Sequence, residues 1–159
     1  MDMTSTRPHA YSVLDRLDAI RGLPDGELRA EADAIALELL DIGEVAIESW
    51  LTGRGKKVEE RPVEGFRLLG LHRQGAKGDP SFNACRESCR ELVYRTNCAR
   101  SGADTDNVAQ QLRLGAMVAR HIVLFIDGKL ETSGLGEFCC SSRNLREGDG
   151  ALIVAKNGS

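Results

Sequence analysis

His121-Ile122-Val123-Leu124-Phe125-Ile126-Asp127-Gly128-Lys129-Leu130-Glu131-Thr132 is the stretch on which the fold class turns. Its first half is rich in β-branched residues, which lose side-chain freedom in a helix and pack well on a pleated surface. Asp127-Gly128 supplies the dipeptide that two-residue hairpin turns favour, and Lys129 to Thr132 would be the returning strand. On those signals residues 122–126 are expected as a strand. The competing pattern is helical: Leu114, Val118, Ile122 and Phe125 keep steps of three and four, and Gly128 would cap such a helix. The choice separates an α+β domain with a small sheet from an all-α domain. The hairpin signal selects α+β, helix-dominated.

Upstream, Ser101-Gly102 breaks the chain, and Asp104 to Asp106 offer caps for a helix through Val108, Leu112, Met117 and Val118. Before that break, a helix starting at Asp79 or Ser81 places Phe82, Cys85, Cys89, Leu92 and Val93 on one face. Arg86, Glu87, Arg90, Glu91 and Arg95 fall on the other. Phe66 to Arg73 reads as a second strand, joined to that helix by the glycine-rich loop Gly75-Ala76-Lys77-Gly78-Asp79-Pro80. Lys56 to Glu64 is a polar connection.

The N-terminal part is helical. Val13, Leu14, Leu17 and Ile20 recur at helical spacing, and Gly22 with Pro24 stops that helix. Asp25 can cap a long second helix carrying Leu28, Ile35, Leu39, Ile42, Ala46 and Trp50 and ending at Gly53-Arg54-Gly55. Leu37, Leu40, Val45, Ile47 and Leu51 add apolar surface on its other faces. Its second half is therefore expected to be covered on several sides, and a homo-oligomer is expected on that ground. Glu38, Asp41, Glu44 and Glu48 read as a solvated face of the same helix. Downstream of the deciding stretch, Ala151 to Val154 is expected as a short last strand. Residues 1–8 read as a loose tail and 9–159 as one globular domain.

The 159 residues suffice for one core, and 42% apolar with 28% charged is a globular composition. No apolar run approaches the roughly 20 residues that cross a bilayer. The first residues lack the apolar segment of an export signal, and five cysteines make an odd count for a disulfide framework. A cytoplasmic protein with free thiols and no membrane partner is expected. The first 64 residues carry 14 acids against 8 bases and the remainder 10 against 13. Those bases are spaced out, which disfavours nucleic acid as a partner.

The most site-like stretch is His72 to Ser81. A loop joining a strand end to a helix N-terminus offers free backbone N–H groups to an anion. Gly75 and Gly78 permit close backbone approach, Arg73, Lys77 and Ser81 can bind a carboxylate or phosphate, and His72 or Asp79 can move a proton. The function expected from this stretch is binding of a small anionic organic molecule, extending to a cofactor-independent acid–base enzyme of lyase or isomerase type. No cofactor and no metal ion are implied by any motif.

A second reading uses the thiols. Cys85 and Cys89 are one helical turn apart on the apolar stripe, where cysteine behaves as a small hydrophobe. With Cys139 and Cys140 they also form the constellation of a thiol-based metal or redox protein, Cys139 or Cys140 being the candidate nucleophile where Arg86, Arg90 or Arg143 folds beside it. A non-catalytic oligomerisation module built on the long helix is the third reading. His121 is expected as a core histidine.

Overall fold

The computed structural model describes residues 10–101 and 107–134, and among these it is all helix. The elements are α1 (Ala10–Arg21), α2 (Asp25–Ala30), α3 (Ala32–Gly53), α4 (Arg67–Ala76), a 3₁₀ turn (Pro80–Cys85), α5 (Arg86–Ser101) and α6 (Val108–Thr132). The expected α+β class with a small sheet is therefore corrected to all-α. The pairing of Val63 with Phe66 is an isolated bridge around a tight turn, Glu64 and Gly65 both having positive φ. The strand expected at Ala151 to Val154 and the caps at Asp104 to Asp106 lie outside the described residues, as do residues 1–8.

Both interior strand assignments become helices for one reason. In α6 the residues Leu112, Ala116, Ala119, Val123, Ile126 and Leu130 recur at steps of four and three, and all are fully buried. Ile122 is buried beside them. Helix propensity disfavours an Ile or Val by at most about 0.7 kcal/mol, whereas burying one such side chain is worth roughly 1.5–3 kcal/mol. Packing wins. Asp127-Gly128 lies inside the helix rather than at a hairpin, and the left-handed glycine just past the helix end is Gly134, with φ +70°.

The same balance holds in α4. Leu68, Leu71, His72 and Gly75 lie at positions i, i+3, i+4 and i+7 and are buried, so helical spacing gathers them on one face. α4 packs close to its neighbours: a Cβ on Gly75 would stand 2.6 Å from Cε2 of Phe82. Gln74 fastens the preceding loop onto this helix. Its side-chain carbonyl accepts from the Glu59 amide (3.0 Å), and its side-chain N–H donates to the Lys57 carbonyl (2.7 Å). Arg67, at the helix start, donates to Glu60 (2.8 Å), Glu48 (3.1 Å) and Glu44 (3.3 Å), which ties α4 to α3. Of the acids read as a solvated face, Glu44 and Glu48 are thus part of this junction, and Glu38 pairs with Arg16 at 2.7 Å.

α6 is central and packs on α1, α2, α3 and α5, while α3 also packs on α4 and α5. The long second helix expected from Asp25 is interrupted at Glu31 (φ −115°, ψ 26°) into α2 and α3. The apolar faces that suggested an oligomer are covered within the chain: Leu40, Ile42, Ala46, Ile47, Trp50 and Leu51 are buried, and Leu37 is exposed. No helix among the described residues is long and apolar enough to cross a membrane.

Candidate functional site

At the junction of α4, the 3₁₀ turn and the start of α5, the core stops being hydrocarbon. His72, on the buried face of α4, places Nε2 2.9 Å from the Phe82 carbonyl oxygen. A carbonyl only accepts, so Nε2 carries a proton and Nδ1 is the ring nitrogen with a lone pair to take another. Cys85, the last residue of the turn, is a polar neighbour of the His72 ring, and Cys89, in the first turn of α5, is a neighbour of Cys85. Cys85 is 2% exposed and His72 6%, so these polar contacts are made away from water.

Those contacts set the charge distribution. The Cys89 S–H donates to the Cys85 sulfur, His72 adds a second hydrogen bond and a favourable charge, and Lys129 a weaker one. Together they outweigh burial and bring the Cys85 thiol down to about 6. For His72, burial alone would lower the value and Arg86 opposes the cation, but Cys85 and the Phe82 carbonyl raise it above the ordinary imidazole range. Cys89 moves upward, because its hydrogen bond to Cys85 and its burial both favour the protonated thiol. These directions favour charge separation between Cys85 and His72, with the Cys89 thiol kept protonated.

Aromatic rings and one ammonium group roof the pair. The Phe82 ring lies 5.4 Å from the His72 ring, 6.1 Å from Trp50 and 5.7 Å from Phe125. Lys129, near the end of α6, holds its Nζ 4.7 Å from the centre of the Trp50 ring and 5.6 Å from that of Phe82. The same ammonium donates to Ser81 Oγ (2.6 Å) and pairs with Asp79 (3.2 Å). Ser81 in turn donates to Asp79 at 2.6 Å. The Ser81 hydroxyl, and then Lys129, hold the Asp79 carboxyl below its ordinary range.

The expected site residues therefore divide. His72 points into the core at Cys85, while Arg73 and Lys77, one turn apart, stand in solvent. Lys77 borders an open cleft of about 440 Å³ whose other lining residues are Glu59, Glu60 and Arg61; neither His72 nor Arg73 lines it. Gly75 provides the close packing of α4 on Phe82, and Gly78 (φ +70°) turns the chain toward Pro80. Asp79 and Ser81 meet each other and Lys129. The segment Pro80–Cys85 is 3₁₀ helix that runs directly into α5 at Arg86. His121 is exposed, against the expectation of a core histidine. Cys139, Cys140 and Arg143 lie outside the described residues.

Sequence reasoning missed the pairing of His72 with Cys85 and the roof of Lys129, Trp50 and Phe82. The available signal was the helical spacing of Leu68, Leu71, His72 and Gly75, which puts His72 on an apolar stripe. Among the described residues no group of three His, Cys, Asp or Glu side chains is placed to hold a metal ion. No family model, no curated protein and no solved structure matches this chain.

Proposed function

We propose that this protein is a thiol-based redox protein whose reactive group is Cys85, with His72 as the base that keeps it ionised. The observation that carries the reading is the position of Cys85, buried with the His72 imidazole and the Cys89 thiol as its polar neighbours. A nucleophilic thiol needs a base within hydrogen-bond reach and a group that orients the base. Here the Phe82 carbonyl is the orienting group, since it holds the Nε2 proton and leaves Nδ1 for the thiol. An inert core cysteine would be surrounded by apolar groups and have its ionisation suppressed. Cys85, though buried, has an imidazole and an ammonium group near it.

The test is the pH dependence of Cys85 alkylation by a small haloacetamide, followed on the peptide that contains it. The expected midpoint is about 6, and His72→Gln should move it upward toward the ordinary thiol value of roughly 8.5. An ordinary midpoint in the unmodified chain would remove the reading. A low midpoint that His72→Gln leaves in place would remove the imidazole from it.

A further inference from the structure

We propose that Cys85 and Cys89 are a dithiol–disulfide couple oxidised by hydroperoxides, with Cys85 as the attacking sulfur and Cys89 as the resolving one. The proposal rests on Cys85 being the reactive thiol. Spacing is its first support. The two residues are four apart where the turn runs into α5, and helical geometry sets such Cα atoms roughly 6 Å apart. A disulfide accommodates Cα separations of about 4.4–6.8 Å. The second support is that both side chains are buried in the same core, Cys85 at 2% and Cys89 at 0% exposure. Resolution therefore needs side-chain rotation and not a rearrangement of helices.

Burial selects the oxidant. Cys85 is almost fully enclosed and Cys89 completely so, beneath Phe82 and the Lys129 ammonium. A bulky disulfide cannot align its sulfur with a thiolate in such a position. A small uncharged hydroperoxide needs only a brief opening of the short 3₁₀ segment Pro80–Cys85, a helix type with poorer hydrogen-bond geometry than the α-helix.

The steps balance with groups already in place. The Cys85 thiolate attacks the terminal oxygen of the hydroperoxide, forming an S–O bond and breaking the O–O bond. The departing alkoxide, or hydroxide from hydrogen peroxide, takes the proton held on His72 Nδ1. Cys85 is now a sulfenic acid. The Cys89 sulfur then attacks the Cys85 sulfur; the S–S bond forms, the S–O bond breaks, and the leaving hydroxide takes the Cys89 proton as water. The two thiols lose two electrons, and the hydroperoxide is reduced to an alcohol and water.

Trypsin offers a direct reading, because it cuts after Lys77, Arg86 and Arg90. Peptides 78–86 and 87–90 then stay joined only through a bond between Cys85 and Cys89. The full-length chain carrying Cys98→Ser, Cys139→Ser and Cys140→Ser is treated with stoichiometric hydrogen peroxide, after circular dichroism has shown it to be helical. Most of the chain should yield the joined peptide, and a thiol reductant should separate it. Adding Cys89→Ser should instead leave a Cys85 sulfenic acid that a cyclic dione captures. His72→Gln should slow thiol loss near neutral pH by at least about a hundredfold, because it removes both the support for Cys85 ionisation and the proton donor for the departing oxygen. Glutathione disulfide at equal concentration should react at less than about a tenth of the peroxide rate.

Cys85 driven to sulfinic acid while Cys89 stays free would overturn the couple, and faster reaction with glutathione disulfide would overturn the choice of oxidant. A low alkylation midpoint without a joined peptide sinks this inference alone. An ordinary midpoint sinks the reading on which it rests.

Discussion

The two ends of the bundle are built from different materials. Where α1 meets α6, the interface is hydrocarbon: Val13, Leu17 and Ile20 pack in the same core as Leu112, Ala116 and Ala119. Where α4 and the 3₁₀ turn meet α5 and the end of α6, the buried groups are an imidazole, two thiols and aromatic rings beneath an ammonium group. Burial is equally complete at both ends, so packing density does not distinguish them. What differs is that the second end buries polar groups, which persist only when they satisfy one another. His72 meets that requirement through the Phe82 carbonyl, and the proposed thiol chemistry of Cys85 would make that end responsive to pH and oxidants in a way the first is not.

The largest effects should come from deleting one anchor at each end. Leu17→Ala, with its side chain fully buried, should cost about 2–5 kcal/mol by urea titration and leave the alkylation midpoint of Cys85 where it was. Phe82→Ala should cost a similar ~3–5 kcal/mol but also shift that midpoint and speed the alkylation, because the ring covers His72 and lies under Lys129. Equal chemical behaviour in the two variants would erase the proposed division.

A smaller effect, confined to one end, should appear in the pH dependence of stability. Cys85 has a lowered folded value of about 6, so between that value and the ordinary thiol range the unfolded chain holds more protons there. Its contribution is present at high pH and is lost as pH falls through about 6. His72 has a raised folded value, so its contribution is complete below about 6.5 and is lost as pH rises through the raised value. The pair titrates jointly, so the gain at Cys85 above about 6 is partly offset where His72 loses its own contribution. Arg86, Lys129 and Cys89 face the pair without reversing either direction. His72→Gln should reduce the rise in stability above about pH 6, measured as urea midpoints from pH 5 to 9. A flat profile in the unmodified chain would show that no shared proton is bound there.

The smallest effect sharpens the fold itself. Gly128 is exposed inside α6, and a Cβ there meets nothing within 4 Å. Gly128→Ala should therefore raise stability by about 0.5–1 kcal/mol. In a hairpin turn, where that glycine would need a positive φ, the same change would destabilise. Thermal unfolding distinguishes the two signs.

Residues 122–132 show why local signals misled. β-branched residues followed by Asp-Gly describe what a peptide prefers, and those preferences amount to a few tenths of a kcal/mol per residue. The register that mattered, from Leu112 through Ala116, Ala119, Val123 and Ile126 to Leu130, includes two alanines and so carries a weak apolar signal. Phe66 to Arg73 misled similarly, since a run containing Leu68, Leu69 and Leu71 is too short for periodicity to separate strand from helix. The spacing of Cys85 and Cys89, by contrast, was legible at once, because one helical turn is a local property.

The sequence by itself determined the helices with long, regular stripes: α1 with its glycine–proline stop, α3 with its apolar faces, and α5 with its cysteine side and arginine side. In each, the period of 3.6 is repeated often enough to outweigh local preference. Only the tertiary structure decided that α4 and the second half of α6 are helical, and that His72 turns inward to Cys85 while Arg73 and Lys77 turn out. It also brought Lys129 over Trp50 and Phe82 from a distant part of the chain. The physical reason is common to all of these: each depends on which apolar surface a neighbouring helix has left to cover, and no window of sequence contains its neighbour.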